Sequence, residues 1–202
     1  MPTDAQEFFG SRVGLAQRYV EFLVDAGVRR GVIGPREGTR IWSRHLLNCA
    51  AGAAVVPQGA RVLDVGSGAG LPGIPLALAR PDVLVDLLEP LTRRTAFLAD
   101  ALTLLSVDGV AVVRGRAADH AAMAGASYDV VTARAVTDLG TLHSWARRLL
   151  RPGGLLVAYK GAHAEAELAA ARPRLGGATA YVKEIVHGVH TMATVVVIAS
   201  DP

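Results

Sequence analysis

The sequence predicts an α/β fold: a doubly wound, mostly parallel sheet with an antiparallel last strand, preceded by an N-terminal helical extension. Three observations carry this. After residue 60, short β-rich runs alternate with helix-length amphipathic stretches. Such alternation builds parallel strands covered on both faces, and right-handed crossovers make the sheet doubly wound. Before residue 60 only helical spacing is found. The chain has 202 residues, 51% of them hydrophobic and 19% charged, which suits one large core and argues against disorder. The expected division is a helical extension over 1–58 and a sheet domain over 59–202, forming one compact unit.

Residues 4–26 read as a first helix. Asp4 and Glu7 have capping-box spacing, and Phe9, Val13, Val20 and Leu23 share a face. A polar stretch, "VRRGVIGPREG", follows, then a second helix from Thr39 to about Val55, ended by Pro57 and Gly59. "RVLDV" is a strand and Pro72 to Arg80 a helix. "VLVDLLE" is a strand and Thr92 to Leu105 a helix. "VAVVRG" is a strand followed by a loop. "YDVVTARA" is a strand and Asp138 to Leu150 a helix. "RPGG" is a turn, "LLVAYKG" a strand, and Ala164 to Ala171 a helix. "AYVKEIVH" and "TMATVVVIAS" are too close for a helical crossover, so they pair antiparallel.

The turn after the first strand, "GSGAG", sits where open α/β sheets bind ligands. It lacks the third glycine of a dinucleotide fingerprint, because position 71 is Leu71, and no Gly-Lys-Ser/Thr of a P-loop follows. Asp64, two residues before Gly66, would repel a pyrophosphate but suit a sulfonium or ammonium. Glu89 ends the second strand, where a carboxylate accepts from ribose hydroxyls. Glycines, an acid facing a cation and an acid for a ribose describe S-adenosylmethionine better than a nicotinamide cofactor.

In order along the chain, "RHLLN", "DVGSGAGLPGIPLAL", "LLEPLTRRTAFL", "VRGRAAD", "YDVVTARAV" and "RPGGLLVAYKG" resemble the ribosomal RNA small subunit methyltransferase G family, also called glucose-inhibited division protein B. The resemblance covers residues 40 to 165 well and the ends loosely. It implies a class I methyltransferase (Rossmann-like) domain that moves a methyl group from S-adenosylmethionine to guanine N7 in the decoding-region stem-loop of 16S rRNA. By motif, Gly66 and Leu71 match the glycine-loop cofactor contacts; Gly68, the second glycine of the G-x-G turn, is expected to join them. Ala117 and Ala118 match the segment that meets the adenine, and Arg134 of "TARA" matches the family's pocket arginine. Three departures stand out. Ala118 replaces a usual glutamate, with Asp119 beside it. Asn48-Cys49 replaces Asp-Ser, and the family's asparagine–leucine–threonine signature is absent before it.

Guanine N7 carries a free lone pair and no proton, so no catalytic acid or base is nominated; proximity and orientation supply the rate. A cation pressed on N7 would oppose the charge that arrives there. Arg134 is therefore expected on the methionine carboxylate, guanine O6 or a phosphate rather than on N7. Expected RNA contacts are Arg44, His45, Arg134 and Lys160. Arg36, Arg40 and Arg44 recur at intervals of four and form one stripe if the second helix begins early enough to include them. Arg114 and Arg116 flank the loop after the third strand, and Trp42 is a candidate for base stacking. A net charge of +3 and a pI near 9.4 permit a nucleic-acid partner.

One cysteine, Cys49, excludes an internal disulfide framework. No signal peptide and no run of about 18 apolar residues is evident, so a cytoplasmic protein with no membrane contact is expected. No zinc-type spacing and no G-x-S-x-G elbow occurs, so neither a metal nor a serine hydrolase is expected. The rival readings are a methyltransferase acting on a small molecule or protein, a nicotinamide oxidoreductase, and an inactive cofactor-binding module.

Overall fold

The computed structural model describes residues 1–200. Seven strands form one sheet: β1 (Arg61–Val65), β2 (Leu84–Glu89), β3 (Val110–Arg114), β4 (Tyr128–Arg134), β5 (Leu150–Lys160), β6 (Ala180–His187) and β7 (His190–Ala199). Their order is β3-β2-β1-β4-β5-β7-β6. Strands β1 to β5 run parallel, β7 is antiparallel to β5, and β6 pairs antiparallel with β7. The chain winds outward from β1 to β3, then restarts at β4 on β1's other side. The switch point therefore lies between β1 and β4, at their carboxyl ends.

Sequence pattern explains the layers. β1 is buried over Val62–Val65 because helices cover both of its faces. β6, on the edge, is mostly exposed or half-buried and carries two adjacent exposed charges, Lys183 and Glu184. One face of the sheet receives α4 (Gly73–Ala79) and α5 (Thr92–Leu105), the other α6 (Ala117–Ala124), α7 (Leu139–Ala146) and α8 (Ala164–Ala171). α5 buries Phe97, Leu98, Ala101 and Leu105 at helical spacing and stops at left-handed Ser106. Asp138 caps α7, accepting from the Thr141 amide at 3.0 Å.

The N-terminal residues join the α4/α5 face. Phe9, Tyr19, Leu23, Leu46 and Leu47 share one cluster with Val62, Ile74 and Phe97. Each expected N-terminal helix is broken. The first is α1 (Ala5–Phe9), a 3₁₀ turn at Gly10–Arg12, α2 (Val13–Phe22) and a π turn at Leu23–Gly27. The second is a 3₁₀ turn at Pro35–Arg40, a π turn at Ile41–Leu47, α3 (Asn48–Ala51) and a 3₁₀ turn at Gly52–Val55. Two smaller corrections follow. The segment after β3 forms α6 rather than a loop. The "RPGG" turn lies inside β5 as a bulge, where Leu150 pairs Tyr128 but Leu155 pairs Val130.

Among the described residues, no helix is long and apolar enough to cross a membrane, and no group of three or more His, Cys, Asp or Glu side chains is placed to hold a metal ion.

Candidate functional site

Two adjoining cavities open at the carboxyl ends of β1, β2, β3 and β4. The larger, about 620 Å³, is lined by Gly66, Glu89, Arg94, Ala117, Ala118 and Trp145 among others. The smaller, about 270 Å³, is lined by Glu37, His45, Gly68, Leu71, Arg94 and Arg134 among others. Gly66, Arg94 and Ala135 line both, so these three form their common wall. A concavity of about 450 Å³ also exists at the amino ends of the strands. Its carboxylate, Asp129, is already satisfied by Arg151 at 2.8 Å and the Arg61 amide at 2.7 Å.

The common wall depends on two unusual backbone positions. Gly66 has φ +68, and a Cβ there would stand 2.9 Å from Val136 Cγ2. Ala135 also lies in the left-handed region, at φ +55, which is rare for a residue with a side chain. Strand β4 thus turns sharply just after Arg134 and presses Val136 against the glycine loop.

In the larger cavity Glu89 is almost fully buried. Its Oε2 accepts from the Gly68 amide and its Oε1 from the Leu91 amide, each at 3.0 Å, with Arg94 Nη1 at 3.8 Å. Each oxygen keeps an unfilled lone pair. Ala117 and Ala118 open α6 on the same cavity, and Trp145 supplies an aromatic wall. A carboxylate with spare acceptors, a glycine-rich loop and an apolar-aromatic wall fit the ribose, chain and base of S-adenosylmethionine. Asp119, one position beyond Ala118, is exposed and does not line the cavity.

Asp64 requires correction. Its carboxylate does not open onto either cavity; it is wholly buried beneath the loop. Oδ2 accepts from the Gly73 amide at 3.0 Å, at the start of α4, whereas Oδ1 has no partner among the described residues. The reason is position: a strand-interior side chain two residues before the loop meets the next helix, not the ligand. Burial pushes its carboxyl up to about 7, with the Gly73 amide, Ser67 and Arg134 opposing and Glu89 adding. Three further buried groups surround this spot. Tyr19 Oη donates to the Ala69 carbonyl, and Tyr159 Oη donates to the Cys49 carbonyl at 2.7 Å. Burial pushes the Cys49 thiol up to about 11.

The smaller cavity contains a chain of three side chains. Arg134 Nη2 donates to His45 Nδ1, so that nitrogen is the acceptor. His45 Nε2 then carries the proton and donates to Glu37 Oε2 at 2.7 Å. Burial holds His45 below the usual imidazole range, opposed by the Glu37 hydrogen bond and assisted by the Arg134 charge. Arg134 Nη1 also reaches Cys49 Sγ at 3.3 Å and the Arg44 carbonyl at 3.4 Å. Arg134 therefore sits with His45 in the smaller cavity, not among the larger cavity's lining. Gly68 and Leu71 also line only the smaller one.

The other expected RNA contacts are more dispersed. Arg44 is exposed, pairs with Glu37 at 3.4 Å and lines neither cavity. Arg36 and Arg40 occupy a 3₁₀ turn and Arg44 a π turn, so the three do not form an α-helical stripe. Lys160 is corrected too. Only 11% of its side chain is exposed, and it pairs with Glu167 at 2.6 Å and reaches the Thr137 carbonyl at 3.5 Å. It braces the chain after β4 against α8 and lines neither cavity. Trp42 packs edge-on against Phe9, at 6.4 Å between ring centroids. Sequence reasoning missed Glu37, Arg94, Ala135 and Trp145. Arg94 and Ala135 lay in quoted family motifs, "LLEPLTRRTAFL" and "YDVVTARAV", and Glu37 in the polar stretch "VRRGVIGPREG"; Trp145 lay in none.

Residues 12–194 match the family model described as rRNA small subunit methyltransferase G. Curated relatives carry the name Ribosomal RNA small subunit methyltransferase G. One from Thermobifida fusca is 55% identical over 177 residues, covering 87% of this chain and 73% of its own length. One from Salinispora tropica is 53% identical over 205 residues, covering 98% and 85%. Solved structures agree on the fold. The S-adenosylmethionine-dependent methyltransferase SibL matches with a TM-score of 0.63 at 18% identity, over 93% of this chain and 70% of its own. The precorrin-6y C5,15-methyltransferase of Geobacter metallireducens matches with a TM-score of 0.57 at 17% identity, over 76% and 87%. The strand order, the paired cavities at the switch point and this sequence similarity agree: the chain belongs to the ribosomal RNA small subunit methyltransferase G family.

Proposed function

We infer that this chain methylates N7 of a guanine in 16S ribosomal RNA, in the decoding-region stem-loop, using S-adenosylmethionine. Family membership across residues 12–194 is the observation that carries this reading. The two adjoining cavities support it, since a methyl transfer needs donor and acceptor side by side. The small subunit or its rRNA is the partner, and the cytoplasm is where the enzyme meets it.

Glu89 holds the ribose hydroxyls, Ala117 and Ala118 border the adenine, and Gly66 lets the cofactor's chain approach the backbone. When bound, the cofactor supplies an electrophilic methyl group on a sulfonium leaving group. The protein's own contribution is placement. N7 needs no deprotonation, and the cavity chemistry matches: His45 is neutral and already engaged at both nitrogens. Arg134 is tied to His45, Cys49 and the Arg44 carbonyl, which keeps its charge from being pressed on the acceptor nitrogen.

The test is methylation mapping of 16S rRNA from a strain lacking the gene and from the complemented strain. The expected result is N7-methylguanosine at the decoding-region position only when the gene is present. Full modification in the deletion strain would refute the assignment.

A further inference from the structure

We propose that Glu37 reads the acceptor base: its carboxylate accepts N1–H and N2–H from the Watson–Crick edge of the guanine held in the smaller cavity. The proposal rests on the rRNA guanine-N7 reading above and adds the determinant of base specificity.

Four observations support it. First, Glu37 lines the smaller cavity but not the larger, so it is not part of the common wall of Gly66, Arg94 and Ala135. A purine carries N1 and N2 on the edge opposite N7. A guanine with that edge on Glu37 turns N7 towards the common wall and the cofactor. Second, the carboxylate is pre-oriented. His45 donates to Oε2 at 2.7 Å, His45 is fixed by Arg134, and Arg44 reaches Oε1 at 3.4 Å. A carboxylate has about four acceptor sites, so two remain for a base. Third, the His45 hydrogen bond holds the Glu37 carboxyl below its usual range, so it stays ionised and can only accept. Fourth, Arg94 lines both cavities, and its side chain is about a third exposed, so its guanidinium is a donor on the common wall. Guanine O6 lies between N1 and N7 on the base perimeter, which is where a donor on the common wall is needed.

The same arrangement rejects adenine. Adenine N1 is an acceptor and would set a lone pair against the carboxylate, an opposition that costs more than a missing bond.

A structural role, in which Glu37 merely props His45, is separable by base substitution. 16S rRNA assembled by ligation, with guanosine or inosine at the acceptor position, is offered to the full-length enzyme. Inosine lacks only the N2 amine. Methyl transfer to N7 is measured as kcat/KM, and S-adenosylmethionine affinity is measured by calorimetry. Wild-type enzyme should favour guanosine by about tenfold or more, the value of one hydrogen bond to a charged acceptor. Glu37→Ala should be slow on both RNAs, and its guanosine preference should collapse to the chemical difference between the bases. Glu37→Gln keeps an acceptor for His45 but turns an N–H₂ towards the base, so it should retain cofactor affinity and lose the preference. A wild-type guanosine preference retained in both variants overturns the proposal, whatever their absolute rates. Wild-type enzyme inactive on the guanosine RNA overturns the rRNA reading and this inference with it; wild-type activity with unchanged discrimination overturns this inference alone.

Discussion

Two buried carboxylates at the site have opposite roles. Glu89 accepts from two backbone amides and borders the larger cavity, so it is placed to meet a ligand. Glu89→Gln keeps the shape but replaces one acceptor oxygen with a donor facing an amide. S-adenosylmethionine affinity should fall by ~1–3 kcal/mol, read by calorimetry; unchanged affinity would remove Glu89 from the cofactor site. Asp64 acts instead on the fold. Its carboxyl is pushed up to about 7 in the folded state, against 3.8 for the free group. The folded protein therefore holds a proton that the unfolded chain releases. That contribution to stability is complete below about pH 4 and is lost as pH rises through 7. The melting temperature of the wild type should fall between pH 5 and pH 8 on this account. Asp64→Asn cannot titrate, so its curve should be flatter, with its largest gain over wild type at pH 8. Parallel melting curves for the two proteins would show that the group is already ionised in the fold.

At the scale of elements, the N-terminal turns and the sheet are fitted together at single atoms. Gly52 begins the last 3₁₀ turn before β1, and a Cβ there would lie 2.0 Å from Tyr159 Oη on β5. That hydroxyl donates to the Cys49 carbonyl. Gly52→Ala should therefore destabilise by ~1–3 kcal/mol, the usual cost of overpacking. Tyr159→Phe, which loses only the hydrogen bond, should cost about 1 kcal/mol. Urea melts of both variants test this order, and an equal or reversed cost would mean that the turn yields easily. The sheet was legible because its signals are local: "VVTA" and "VVVI" are continuous buried runs, and α5 keeps a clean helical stripe over 14 residues. α6 was not legible, because "AADHAAMA" has an apolar side chain at most positions and hence no polar face to set a period. The π turns at Leu23–Gly27 and Ile41–Leu47 were not legible either, since they follow from packing against the sheet rather than from propensity. The site divided along the same line. Glu89 and Gly66 follow from the position of a strand end. Glu37 lies in "PREGTR", which reads as a polar connection until the fold carries it to His45.

For the molecule as a whole, the arrangement of the core decides whether the first 58 residues are an accessory. They are not packed as one. Phe9, Ala16, Tyr19, Leu23, Leu46 and Leu47 are buried in the same cluster as the sheet residues Val62, Val85 and Val157. Polar links reinforce the seam. Arg80 donates to the carbonyls of Ala53 and Val56 at 3.2 and 2.8 Å, Asn48 to that of Met192 at 2.8 Å, and Arg12 to that of Ala77 at 3.2 Å. Removing residues 1–58 would expose α4 and the part of its sheet face that α4 and α5 do not cover, an apolar surface of the kind a soluble monomer rarely leaves open. It would also remove Glu37 and His45 from the smaller cavity and Tyr19 from beneath the glycine loop. A chain of residues 59–202 should therefore lack a cooperative thermal transition, and adding S-adenosylmethionine should not restore one, because the loop that would bind it has lost its support. Circular dichroism melts with and without the cofactor decide the matter. A sharp transition in the truncated chain would show that the sheet domain folds alone and that the N-terminal layer serves the RNA rather than the fold.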